Sequence, residues 1–236
     1  MICLTFDTDW MRDGDMERFL REFPIPGKAT FFLHDTLPSL LGSAHELGPH
    51  PFIDNLTCLD DSISRVVASM PRQPKGVRAH SCVFSHMVGV GLNKLGYRYV
   101  SQASNLFEGG LKPFRHPWGI WEMPIYYMDN MDFCMPMNWP GHAHVPFSQE
   151  VIRVALEENG LYVFDFHPLH IALNTRSFSD YSAVRDRIVC DGISPFDLSY
   201  EGRGVRTFFG ELCSAMRDCG CYSRGCWDAL EKLGCS

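Results

Sequence analysis

Residues 2 to 6, Ile-Cys-Leu-Thr-Phe, make an apolar run of strand length, and aspartates stand just beyond it at positions 7 and 9. Such a run reads as a short buried strand. Side chains alternate along a strand, so if the extended conformation persists to Asp9, both carboxylates leave the same face. Two like charges that close repel unless a cation or strong donors separate their roles. One can ligate a hard or borderline metal ion while the other stays free to accept a proton. The bland alternative is a strand end whose aspartates cap a helix beginning near Asp13. The rest of the chain decides between them.

Met16, Phe19, Leu20 and Phe23 repeat at helical spacing before Pro24 and Pro26, which marks an amphipathic helix. Residues 28 to 34 form a second short strand, and residues 45 to 50 read as the end of a third. Asp60 or Asp61 can cap a helix whose Ile63, Val66, Val67 and Met70 form one stripe. Gly76 to His80 is a fourth strand, and Ser85 starts a helix closed by Gly96. Tyr97 to Ala103 and Trp121 to Tyr127 supply strands five and six. Ser148 to Asn159, capped by Gly160, is a helix feeding a seventh strand, Leu161 to His167. From about 178 the pattern is helical, with Val205, Phe208, Phe209 and Leu212 on one apolar face.

Strand and helix alternate nearly throughout, which argues for a parallel sheet with helices outside. Seven strands with short connections suit an α/β fold of the distorted (β/α)7 barrel type, and 236 residues suffice for one such core. A single domain over 1–236 is the simplest account, its part from 178 to 236 helical and rich in cysteine. A net charge of −7 gives no support to nucleic-acid or anionic-membrane partners. No apolar run approaches the roughly 20 residues of a membrane span. With no basic stretch before the first strand, a cytoplasmic location is expected. The ten cysteines include a C-terminal group at 213, 219, 221, 226 and 235 that lacks paired C-x-x-C spacing. Reduced structural thiols are the first reading, a small metal or redox cluster the second.

In parallel α/β folds the C-terminal strand ends form the site. Those ends carry Asp7 and Asp9, His34, His50, Arg78 and His80, and His167. Acids and imidazoles gathered at one end of a barrel are not what packing alone asks for.

The order of these segments resembles the polysaccharide deacetylase superfamily, the NodB-homology or family-four carbohydrate esterases. Thr5-Phe-Asp-Thr-Asp9 is similar to the family's first motif and Ala29-Thr-Phe-Phe-Leu33 to the strand after it. His45-Glu-Leu-Gly-Pro-His50 resembles the approach to the second motif. Gly76-Val-Arg78 resembles the start of the third, and Phe164-Asp-Phe-His167 the last strand with its histidine. The Arg-Ala-His-Ser and His-Pro-Leu-His-Ile-Ala-Leu-Asn variants resemble the divergent WbmS-like branch. The likeness covers about residues 1 to 170.

The resemblance implies Asp7 as general base, His167 as general acid, Asp9 and His50 as metal ligands, and one divalent ion, zinc by expectation. The second histidine of the family's H-x-x-x-H is replaced by Asp54, which could supply an oxygen ligand. His80 is the other candidate, and the first choice, because two residues beyond Arg78 on a strand it faces the same way. Arg78 would orient Asp7 through a bidentate pair and hold down its pKa. Asp165, two residues before His167, is the expected partner of that imidazole. His170 reads as supporting or structural. Trp118, Trp121, Tyr126 and Tyr127 could wall a sugar ring, though core packing is the better reading.

The expected function is metal-dependent hydrolysis of an N-acetyl group on an amino sugar, in a nucleotide- or lipid-linked saccharide for surface-polysaccharide synthesis. Two alternatives stand beside it: hydrolysis of a non-sugar C–N bond, and a non-catalytic carbohydrate-binding relic suggested by the lost histidine.

Overall fold

A computed structural model describes residues 1–53, 59–138 and 144–235. The chain begins β1 (Ile2–Asp7), α1 (Asp13–Glu22), β2 (Ala29–Leu33), α2 (Pro38–Leu41), β3 (Glu46–Pro49) and α3 (Leu59–Val67). It continues through β4 (Gly76–Val77), α4 (His86–Lys94), β5 (Tyr99–Val100), β6 (Phe114–Arg115), β7 (Trp121–Glu122) and β8 (Ile125–Met128). Then come α5 (Asp129–Asn138), α6 (Gln149–Glu157), β9 (Tyr162–Phe166), α7 (Pro168–Leu173), α8 (Phe178–Val189), α9 (Val205–Asp218) and α10 (Cys226–Lys232).

β1 lies at the centre of a five-stranded parallel sheet in the order β3–β2–β1–β9–β8. A second sheet runs β4–β5–β7–β6, parallel except for the β6–β7 pair. The two sheets meet at both flanks. Arg78 N–H donates to Pro49 C=O (3.3 Å) and His80 N–H to Pro51 C=O (2.9 Å), joining β3 to the β4 segment. On the far side, Ile125 N–H donates to Ala103 C=O (2.8 Å) and Asn105 N–H to Ile125 C=O (2.9 Å), joining the stretch after β5 to β8. β1 to β5, β8 and β9 thus encircle a distorted seven-stranded barrel, sealed at its seams by separate hydrogen bonds rather than continuous ladders.

The expected sixth strand, 121 to 127, is broken. Pro124, which has no N–H to donate, separates β7 from β8, and the antiparallel β6 beside β7 has no counterpart in the sequence reading. Two helix boundaries also differ. α3 starts at Leu59, so Asp60 and Asp61 occupy its first turn instead of capping it. α6 ends at Glu157 and Gly160 plays no part in its cap.

Alternation along β1 divides two environments. Leu4 and Phe6 face outward, packing with Met16, Phe19, Phe208 and Phe209 of the covering helices. Cys3 faces inward, in a cluster with Phe32, Tyr99 and Val163. The inner cluster is completed by Cys226, Ala229 and Leu230, all fully buried. α10 therefore plugs the N-terminal mouth of the barrel. Its entry is pinned to the strand starts: Cys226 N–H donates to Thr30 Oγ1 (2.9 Å), Trp227 N–H to Glu46 Oε2 (2.8 Å). Tyr99 fits inside because β4 offers a glycine; a Cβ on Gly76 would lie 1.9 Å from its ring. The nine described cysteines are free thiols, of which Cys3, Cys213 and Cys226 are buried in cores.

Candidate active site and metal centre

The upper half of the barrel interior is polar. Thr5 and Asp7 come after Cys3 on the inner face of β1, and Asp165 lies beside them on β9. These groups converge on Arg78, which is wholly buried. Its Nε donates to Ser101 C=O (2.8 Å) and its Nη2 to Ser101 Oγ (2.8 Å). Its Nη1 is shared among Thr5 Oγ1 (2.9 Å), Asp7 Oδ1 (3.0 Å) and Asp165 Oδ1 (2.6 Å). The guanidinium also lies 4.5 Å from the Phe32 ring centroid. The expected bidentate pair with Asp7 is not formed; one nitrogen serves two carboxylates while the rest of the fork grips Ser101. Burial alone would lower the Arg78 pKa, but Asp165 and Asp7 outweigh it and raise it. Asp165 is pushed up to about 8 by burial, only partly offset by Arg78 and reinforced by Asp7.

Above this cluster stand Asp9, His50 and His80, whose ligand-type atoms all lie within 4.8 Å of one another. His50 Nδ1 lies 2.8 Å from the Arg78 carbonyl, which can only accept, so Nδ1 carries the proton. In the neutral ring Nε2 then has a lone pair, and it faces Asp9 Oδ2 at 3.1 Å and Asp7 Oδ2 at 3.7 Å. Asp9 Oδ2 is buried without an aligned hydrogen bond among the described residues. Two acceptors at that distance call for a cation between them, a metal ion or a second proton on the imidazole. The pKa directions agree. Burial pushes His50 down, yet Asp7 and Asp9 raise it overall. Burial pushes Asp9 up, yet His50 and His80 hold it well below the usual carboxylate range. A carboxylate with two imidazoles suits a catalytic divalent ion such as zinc or cobalt.

His80 reaches Asp9 Oδ1 through Nδ1 at 3.0 Å. It does so from the first residue of a 3₁₀ turn (His80–Cys82), not from a continued strand. Asp54, the other candidate ligand, lies outside the described residues.

His167 caps α7 across the site, its Nε2 3.8 Å from Asp9 Oδ2. Its partner is Asp129, not Asp165. Asp129 Oδ1 lies 2.7 Å from His167 Nδ1, and Oδ2 accepts from the His167 N–H at 2.7 Å. Burial would depress the imidazole, but the Asp129 carboxylate raises it to about 10. His170, its ring 5.2 Å away, is driven by burial to about 4. Two neighbouring imidazoles are thus held in opposite charge states at neutral pH. Sequence reasoning misses Asp129 because it ends strand six at Tyr127. Carried through to Met128, the rule about strand ends finds it.

Tyr126 and Tyr127 are buried in the core, and Trp118 stacks on His116 (4.8 Å, 8°). Neither these three nor Trp121 line the site; its walls are others. A cavity of about 310 Å³ opens beside Asp9, His80 and His167, bounded by Trp10, Asn130 and Tyr181. His34 stands off the cluster, edge-on to Phe52 (4.8 Å), whose ring in turn lies 4.2 Å from His80. Two roomier concavities, about 610 and 600 Å³, lie at the opposite mouth around Lys75 and Trp227 and contain none of these groups.

Carboxylates and imidazoles thus face one another at the C-terminal end of the barrel, around a cluster that could hold a cation. Residues 4–185 match the family described as WbmS-like polysaccharide deacetylase, and the chain belongs to that family, hydrolases acting on the carbon–nitrogen bond of N-acetyl groups. Solved structures share the fold. One is a Bordetella bronchiseptica protein, WbmS, described as a polysaccharide deacetylase involved in O-antigen biosynthesis (22% identity, 91% of this chain, 90% of that one, TM-score 0.71). Another is a Mycobacterium smegmatis protein described as a polysaccharide deacetylase (16%, 94% and 92%, TM-score 0.51). A third is a family 4 acetyl xylan esterase from Clostridium thermocellum in complex with a cobalt ion (12%, 100% and 92%, TM-score 0.52). A search of curated proteins finds no match. Among the described residues, no helix is long and apolar enough to cross a membrane.

Proposed function

We propose that this chain removes the N-acetyl group from an amino sugar in a nucleotide- or lipid-linked saccharide destined for a surface polysaccharide, and that it does so with one divalent ion, zinc by expectation, held by Asp9, His50 and His80. The observation that carries the reading is the meeting at 3.1 Å of His50 Nε2 and Asp9 Oδ2, an oxygen with no aligned hydrogen bond among the described residues. His80, within reach of Asp9 and His50, offers a second imidazole where position 54 has none, and this supports a catalytic reading over a relic. The whole chain acts as one domain, since residues of β1 and α10 share the barrel interior.

When bound, the ion would polarise the amide carbonyl as a Lewis acid and make an attacking water more acidic. The chain's own groups do the rest. Asp7, 3.0 Å from the Arg78 guanidinium, is the general base that takes the water's proton. His167, kept charged by Asp129, gives its proton to the departing amine from the other side. Arg78 orients Asp7 without releasing a proton of its own.

Metal analysis with and without chelator, together with acetate release from N-acetylated amino sugars, tests the reading. Asp9→Ala and His50→Ala should lose the metal. Asp7→Asn should keep it and lower turnover by roughly 10²-fold or more. Stoichiometric metal in His50→Ala would remove that residue from the ligand set.

A further inference from the structure

Thr8 to Met11 form a turn closed by the Met11 N–H donating to Thr8 C=O at 3.2 Å. Its third residue is Trp10, with φ of 59°. That position ordinarily takes glycine, because a Cβ is strained in the left-handed region, most of all in a bulky residue. Core burial does not compensate, since Trp10 is 40% exposed. The strain falls directly after Asp9, and the indole lines the cavity that opens beside Asp9 and His167. Asn130 lines the same cavity, and its Oδ1 is buried without a partner among the described residues. A residue held against its own backbone preference beside a reactive cluster points to a demand from function.

Resting on the function proposed above, we propose that Trp10 and Asn130 form the subsite that grips the sugar ring whose acylamino arm enters the cluster. The indole offers a flat apolar face to the C–H face of one pyranose, and the Asn130 amide bonds a ring hydroxyl or the amide N–H. A cavity of about 310 Å³ is of the scale of small-ligand sites. Tyr181, on α8, bounds the same cavity, and its ring lies 4.9 Å from that of His170.

The metal-loaded full chain is compared with Trp10→Gly, Trp10→Phe and Asn130→Ala, using the methyl glycosides of N-acetylglucosamine and N-acetylgalactosamine. Glycine suits the turn better than tryptophan, so Trp10→Gly should melt no lower than the parent and bind the same amount of metal. Its KM for the better glycoside should rise about tenfold or more with kcat little changed, the signature of lost substrate binding. Trp10→Phe should recover most of the loss, and Asn130→Ala should raise KM in the same sense. Saturable quenching of tryptophan fluorescence by the glycoside should be seen in the parent and be lost in Trp10→Gly. A Trp10→Gly chain that melts several degrees lower with an unchanged KM would make the tryptophan structural and overturn the subsite. So would equal quenching in parent and variant, or none in either. Failure of the parent to release acetate while quenching depends on Trp10 would instead count against the proposed reaction and leave the subsite standing.

Discussion

The two mouths of this barrel are built from the same strands and serve opposite ends. At the N-terminal mouth, inward positions include Cys3, Tyr99 and Val163, sealed by three buried residues of α10, while Phe32, level with Asp7, floors the polar half above. At the C-terminal mouth, the strand ends of the same ring bring Asp7, Asp165, His50 and Arg78 inward, all buried. The first half gains from removing apolar surface from water. The second places charge where water is scarce and balances it only if every member is present. Within one ring of strands, one end supplies stability and the other uses some of it to hold reactive groups.

The sharpest way to break this contrast is Arg78→Met. It leaves Asp7 and Asp165 buried without their shared cation, and should cost about 3–5 kcal/mol, the usual penalty for breaking a buried pair. Urea denaturation reads this, and a loss under about 1 kcal/mol would show that the carboxylates are satisfied without the arginine. At the other mouth, Leu230→Ala should cost about 2–5 kcal/mol by opening a cavity in the plug. Unlike the first change, it should leave metal content and kcat of the folded fraction unaltered. An altered kcat would mean that the two mouths are coupled.

A third change separates charge setting from packing. Against burial, Asp129, helped by Asp165 and Asp7, lifts His167 from 6.5 to about 10, so this charge contact stabilises the fold fully below pH 6.5 and loses that contribution as pH rises through about 10. Asp129→Asn should draw the alkaline limb of the rate profile down toward neutrality and flatten the loss of stability between those values. An alkaline limb that stays in place would assign it to another group.

Much of the C-terminal mouth is legible in the sequence because its residues close strands with strong apolar patterns. Asp7 and Asp9, His50, Arg78 and His167 can all be placed in this way. Asp129 escapes because the sixth strand, read as ending at Tyr127, runs one residue further to Met128. The sharing of Arg78 between Asp7 and Asp165 depends on which inward positions of β1 and β9 fall level, a register that spacing does not reveal. The plug is illegible for a different reason. Cys226, Ala229 and Leu230 are too few and too small to make a periodic signal. Trp10 is visible as a residue but its backbone is not; nothing in the sequence shows that position 10 turns left-handed.

The central place of β1 also sets an order of events during synthesis. Thr5 hydrogen-bonds to the Phe164 carbonyl, 159 residues away, and the Leu4 N–H to Ser223, 219 residues away. At typical elongation rates the first strand waits on the order of ten seconds before its second neighbour exists. Contacts of such long range slow folding and leave an unpaired edge open to other chains. The nascent protein would be a half-ring open at one mouth until α10, a helix of seven residues, emerges and closes it.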